Sequence, residues 1–184
     1  MDFGVTPFDG LPLPASVTIY EVGPRDGLQN ESIVLPAGIK AEFVERLVDA
    51  GNTVVETTSF VHPKWVPQPP GQVTAVLDAL IASGIPVGSI AVHFHDTYGQ
   101  ALANAFTALR RGITTFDASA GSLGGCPYAG SATGNLATEY LLWQLHDLGV
   151  VTGIDLQKMA GTSAWLARKP GRPSPSRTVT ALAG

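Results

Sequence analysis

With 184 residues, 45% hydrophobic and 14% charged, the chain is long enough for one ordinary domain with a core and too apolar for a disordered tail. A net charge of −4 leaves no basic stripe to neutralise phosphates, which argues against nucleic acid and membrane surfaces as partners. The one cysteine, Cys126, cannot form an intramolecular disulfide; with no basic leader before Pro14 and no apolar run long enough to span a bilayer, a cytoplasmic location is expected.

In chain order, Val17-Thr18-Ile19-Tyr20-Glu21-Val22 is β-branched and aromatic and predicts a buried strand. It runs into Gly23-Pro24-Arg25-Asp26-Gly27-Leu28-Gln29-Asn30-Glu31. That segment is either a surface loop closed by Gly-Pro and Asp-Gly turns, or a strand end presenting Arg25 as a fixed cation beside a metal-binding carboxylate at Asp26. From Pro36, Ile39, Phe43, Val44, Leu47 and Val48 recur at helical spacing, and Ala50-Gly51 supplies a stop. A second strand, Thr53 to Thr58, carries Glu56 as its one charge. A carboxylate there is costly unless paired or bound, so Glu56 is a site residue or an ion-pair partner of Arg25. Pro63, Pro67, Pro69 and Pro70 make the stretch from Ser59 to Gly71 a loop, and Val73, Val76, Leu77, Leu80 and Ile81 mark a helix that stops at Gly84.

Ile90-Ala91-Val92 then leads into His93-Phe94-His95-Asp96. Side chains alternate along a strand, so His93 and His95 share a face and Phe94 takes the other. At the carboxyl end of a parallel strand such a pair lies where α/β folds bind ligands. An isolated His-x-His is equally a pair of core or surface histidines. A helix through Leu102, Ala105, Phe106 and Leu109 ends at Gly112, and a fourth strand, Thr114 to Ala118, opens into a Gly-rich loop from Gly121 to Gly130. Asn135 is expected at the start of a helix running to about Leu148; a last helix spans Leu156 to Arg168, and the tail from Lys169 reads as irregular. The repeated strand, helix, glycine pattern predicts parallel βα units in a single domain over 1–184. A closed barrel needs eight strands and about 200 residues even in lean examples; four strands are visible.

The segments Glu21 to Glu31, Ser59-Phe60-Val61-His62-Pro63-Lys64-Trp65-Val66-Pro67-Gln68, the His93 stretch and Gly124-Gly125-Cys126-Pro127-Tyr128 together resemble hydroxymethylglutaryl-CoA lyase, in that family's order and over nearly all of residues 17–182. The resemblance implies a TIM-barrel metallolyase using Mg²⁺ or Mn²⁺ to cleave 3-hydroxy-3-methylglutaryl-CoA, an acyl-CoA, to acetoacetate and acetyl-CoA in leucine degradation. It also implies an internal deletion. Where such lyases continue into the middle of the barrel, Gln68 here runs directly into Pro69-Pro70-Gly71, a junction at 68–71. The retained strands match the first two and last two of the family barrel, a partial barrel of about four parallel βα units in the spatial order seven, eight, one, two.

By matching motif, the resemblance implies Asp26, His93, His95 and Asn135 as metal ligands and Arg25, Glu56, His93 and Cys126 as catalytic residues. Two imidazoles with carboxylate and amide oxygens suit a hard divalent ion better than the thiolate-rich site of structural zinc. Chelation lowers the pKa of the tertiary hydroxyl, and a guanidinium at Arg25 stabilises the enolate oxygen that gains charge as the bond breaks. His93 or Cys126 then protonates carbon, and sequence does not choose between them. Two further readings stand beside the lyase: a noncatalytic metal-binding remnant, and a related metal-dependent aldolase or Claisen-type enzyme. The missing segment would leave parallel-strand edges open, so self-association as a homo-oligomer is also expected.

Overall fold

Alternation of side chains along the strands decides which face of the sheet the helices cover. The computed structural model describes residues 13–28, 35–56, 73–124, 134–169 and 174–182. Strands β1 (Thr18–Glu21), β2 (Val54–Val55), β3 (Ala91–His93) and β4 (Thr115–Ala118) form one parallel sheet in the order β2-β1-β4-β3. The last two βα units therefore lie beside the first two, the contiguous half-barrel order that the motifs imply. Ile19 pairs with Phe116 and Phe116 with Val92, which sets one apolar row across the sheet. One residue further on, Val54, Tyr20, Asp117 and His93 are aligned on successive strands. Ile19 and Phe116 are buried while Tyr20 and His93 are exposed, so the two rows point to opposite faces.

The helices lie on the Ile19 side. Phe43 and Leu47 of α1 (Ala37–Asp49), Leu77 of α2 (Val73–Ala82) and Ala105 and Leu109 of α3 (Ala101–Leu109) belong to one core cluster. Leu141, Leu142 and Leu145 of α4 (Thr138–Asp147) and Met159 and Leu166 of α5 (Leu156–Ala167) complete it. Each such Leu or Phe contributes about 1.5–3 kcal/mol by leaving water, and that burial holds the strand ends fixed relative to one another. Helix α5 starts where the Asp155 carboxylate accepts from the N–H groups of Gln157 (2.8 Å) and Lys158 (3.0 Å). Among the described residues, no helix is long and apolar enough to cross a membrane.

Two sequence expectations are corrected. Asn135 does not open a helix: α4 begins at Thr138, and the residues before it bridge two strand ends, with Leu136 N–H donating to the Phe94 carbonyl and Ser119 N–H to that of Leu136, each at 3.0 Å. Backbone pairing outweighs helix propensity there. The tail is not wholly irregular either. A short helix, α6 (Arg177–Leu182), forms because the Ser176 hydroxyl accepts from Val179 N–H (3.3 Å) and Val179 is buried where α6 packs on α4 and α5. The Pro-rich loop and the junction at 68–71 lie outside the described residues.

Candidate active site

The polypeptide leaves β1 through a π-type turn, Gly23–Gly27, in which Arg25 and Gly27 both donate backbone N–H bonds to the Val22 carbonyl. The turn puts Arg25 and Asp26 side by side at the carboxyl end of the sheet. Arg25 Nη2 donates to Glu56 Oε2 at 2.7 Å, and its Nη1 donates to Asp26 Oδ1 at 3.2 Å. Burial opposes the guanidinium charge, but the Glu56 hydrogen bond and the charges of Glu56, Asp26 and Asp117 outweigh it, so the Arg25 pKa lies above its ordinary value. Glu56 is thus the ion-pair partner of Arg25. The third donor of this fork, Nε, is shielded from solvent and has no hydrogen-bond partner among the described residues.

On the far side of Asp26, its Oδ2 accepts from Asn135 Nδ2 at 2.6 Å. The same amide nitrogen donates to the Leu123 carbonyl at 3.1 Å. Asn135 is held there because its backbone bridges to His95 and its carbonyl accepts from the Ser122 hydroxyl at 2.7 Å. Gly124 closes this side. Its φ is +103°, and a Cβ on it would stand 2.8 Å from Asn135 Nδ2. Close approach to the amide, more than freedom to move, is what this glycine provides.

The two histidines come together at the end of β3, with ring centroids 4.9 Å apart and planes at 63°. Nδ1 of His93 lies 3.1 Å from Oδ1 of Asp117. Burial disfavours the His93 cation, but Asp117, with help from Asp26, more than compensates and raises its pKa. His95 behaves oppositely: burial first and the neighbouring His93 second lower its pKa, which keeps it neutral and able to donate a lone pair. Cys126 lies outside the described residues, as does His62.

These side chains suit a divalent cation in chemistry: one carboxylate, two imidazoles and one amide. His93 also shows the pattern common to metal-bound histidines, one ring nitrogen against a carboxylate and the other with no hydrogen bond among the described residues. In this conformation Asp26 is turned to Arg25 and Asn135, and among the described residues no group of three or more His, Cys, Asp or Glu side chains is arranged to hold an ion. Rotation of the Asn135 amide exchanges its nitrogen for its oxygen, and that exchange releases Asp26 Oδ2.

Three acids with a role here were not singled out in the sequence. Asp117 is the next-to-last residue of β4 and the register partner of His93 on β3. Glu21 is fully buried on the helix side of β1, where Oε1 accepts from Gly23 N–H (2.7 Å) and Ala120 N–H (2.8 Å), and Oε2 from the Thr138 hydroxyl (2.5 Å). Burial, offset in part by these hydrogen bonds, pushes its pKa from 4.5 to about 8. Glu139, also fully buried, accepts from Gly121 N–H at 2.9 Å and from the Ser163 hydroxyl, and burial raises its pKa too. Glu21 and Asp117, like Glu56, are lone carboxylates in apolar strand sequences.

Comparison with known proteins agrees with this architecture. A hydroxymethylglutaryl-CoA lyase of Arabidopsis thaliana mitochondria is 30% identical, over an alignment covering 92% of this chain and 63% of the relative's length. That alignment spans 295 positions against the 184 residues here, so the relative carries residues with no counterpart in this chain. The crystal structure of HMG-CoA lyase from Bacillus subtilis superposes with a TM-score of 0.87 at 28% identity, covering 94% of this chain and 100% of that one. An HMG-CoA lyase from Acinetobacter baumannii, solved in complex with coenzyme A and 3-methylmalate, shares the fold at a TM-score of 0.75 and 20% identity, covering 96% of this chain and 97% of that one. The HMGL-like family model matches residues 66–166, more than half of the sequence, and the chain with its half-barrel of four parallel strands belongs to the HMGL-like family.

Proposed function

We propose that this protein is a divalent-metal-dependent carbon–carbon lyase that cleaves 3-hydroxy-3-methylglutaryl-CoA to acetoacetate and acetyl-CoA. The observation that carries the reading is the convergence of Arg25, Asp26, His93, His95 and Asn135, from β1, β3 and the segment before α4, on one end of one parallel sheet. Asp26, His93, His95 and Asn135 would hold Mg²⁺ or Mn²⁺, which when bound supplies a Lewis acid for the substrate's tertiary hydroxyl. Arg25 presents a cation that two carboxylates fix in place, with the Nε donor unused. A thioester oxygen there gains negative charge as the bond breaks, so the guanidinium stabilises the transition state more than the ground state. With Nε2 toward the ion, Nδ1 of His93, 3.1 Å from Asp117 Oδ1, is the nitrogen left to hold and return a proton at that end of the sheet. The return of a proton to the acetyl-CoA carbon falls to His93 or to Cys126.

Acetoacetate release from 3-hydroxy-3-methylglutaryl-CoA, measured with and without Mn²⁺, tests the reading. Metal-dependent release that is lost in His93→Ala is expected. Metal-tightened folding without release would instead identify a noncatalytic metal-binding remnant. Cleavage only of a different acyl-CoA or 2-oxo acid would identify a related aldolase or Claisen-type enzyme.

A further inference from the structure

We infer that Asp117 is a positioning residue for His93: it receives the Nδ1 proton of the imidazole and so fixes the tautomer whose Nε2 lone pair faces the site. Three observations carry this. His93 and Asp117 are register partners on β3 and β4, and the two side chains share the exposed face of the sheet at its carboxyl end. Nδ1 and Oδ1 are 3.1 Å apart, and among the described residues no other carboxylate lies within ion-pair distance of His93. That Oδ1 is shielded from solvent and has no hydrogen bond of its own among the described residues. A buried carboxylate oxygen left unpaired costs about 1–3 kcal/mol or more, and a small turn of the imidazole, whose Nδ1 is 3.1 Å away, would align its N–H and remove that cost.

A neutral imidazole carries its one proton on either nitrogen, and only the bare nitrogen can give its lone pair to a metal ion. With the proton held at Nδ1 by Asp117, the bare nitrogen is Nε2. The ring is also fixed in rotation, because turning it over would set Cδ2–H against the carboxylate in place of Nδ1–H. His95 has no such carboxylate among the described residues; its ring is oriented by the edge-to-face contact with His93, so one acid aligns both imidazoles. Asp117 touches neither the substrate nor the ion in this scheme. The role of the freed nitrogen as a ligand rests on the reading under Proposed function, whereas the tautomer does not.

The test separates the two. Long-range ¹H–¹⁵N NMR of the labelled protein without metal, with the ring neutral, reads the His93 tautomer, and Mn²⁺ titration followed by electron paramagnetic resonance reads affinity. Wild type is expected to show Nδ1–H. Asp117→Ala is expected to shift the proton toward Nε2 and to weaken Mn²⁺ about 10- to 100-fold. Asp117→Asn, whose amide oxygen still accepts from Nδ1–H, is expected to keep the tautomer and restore most of the affinity. An unchanged His93 tautomer in Asp117→Ala overturns the proposal, and so does an Asn variant that rescues neither readout. If wild type shows Nδ1–H but binds no Mn²⁺, the metal reading fails while the assignment of Asp117 stands.

Discussion

Glu21 ties three pieces of the site end of the fold to one carboxyl group, and its protonation gives the chain a stability that depends on pH with a definite sign. The carboxyl is fully buried and its pKa is raised from 4.5 to about 8, with desolvation the largest cause and the bonds from Thr138, Ala120 and Gly23 acting against it. Below pH 4.5 both folded and unfolded chains are protonated at this site, so its contribution is complete. Between 4.5 and about 8 the unfolded chain releases the proton while the folded chain keeps it, so stability falls as pH rises. The slope is about 1.4 kcal/mol per pH unit, and over this window the loss is on the order of 5 kcal/mol. Replacing the carboxyl with a neutral amide removes the ionisation. In Glu21→Gln the carbonyl oxygen still accepts from Gly23 and Ala120, and the Thr138 hydroxyl reverses to accept from the new NH₂. Urea unfolding of wild type and Glu21→Gln at pH 5, 6, 7 and 8 provides the assay. Near pH 5 the two chains are expected to agree within about 1 kcal/mol. By pH 8 Glu21→Gln is expected to be the more stable by several kcal/mol, on the order set by the shift above. A difference between the two that does not change with pH would refute the reasoning, because every other titrating group is common to both chains.

Gly124→Ala combines an unfavourable φ of +103° with a Cβ that would stand 2.8 Å from Asn135 Nδ2. Mn²⁺ affinity is expected to fall about tenfold or more, measured by titration, with the fold retained by circular dichroism. Arg25→Lys keeps the charge but loses the fork that reaches both Glu56 and Asp26; kcat is expected to drop about 10²- to 10³-fold with a smaller change in KM in steady-state assays of acetoacetate release. Asp155→Ala removes the acceptor for Gln157 and Lys158 N–H at the start of α5 and is expected to cost about 1 kcal/mol in urea unfolding. Edge strands β2 and β3 lack a second parallel neighbour among the described residues, so light scattering is expected to give a mass above the 19.1 kDa of one chain.

What was legible in the sequence divides along a physical line. Periodicity reports burial, and burial is local: the β-branched run at Thr18, the helical spacing of Phe43 and Leu47 and the His93 strand all lie where their patterns put them. The order of strands was legible too, because the motifs carry the topology of a closed barrel with them. Backbone pairing between distant segments was not. Asn135 is held by its bridge to His95 and by the strand-like bonds of its neighbour Leu136 to Phe94 and Ser119 rather than by a helix, and nothing in Gly134-Asn135-Leu136 itself announces these distant partners. Ser176 reads as one more polar residue in a Pro-rich tail until Val179 has a core to enter.

The acids show the same division more sharply. Glu56, Glu21 and Asp117 each interrupt an apolar strand, and each breaks the same rule against burying a charge. Their sequences are alike, but their solutions differ: Glu56 meets a cation at 2.7 Å, Asp117 faces an imidazole, and Glu21 has no cation within reach among the described residues and is held by two N–H groups and a hydroxyl. The first solution preserves a charged carboxylate next to Arg25. The last favours a neutral acid in the interior at physiological pH, and an acid that must stay neutral is sensitive to whatever changes its burial. Helix α4 and the turn at Ala120 shield Glu21 by donating to it, and the same two elements lead out of Asn135 and into Gly124. Loosening either element would admit water to Glu21, ionise it, and release the backbone that holds the site's amide against Asp26. The carboxyl under the sheet and the donors above it therefore stand or fall through shared backbone, although among the described residues no side-chain hydrogen bond joins them directly.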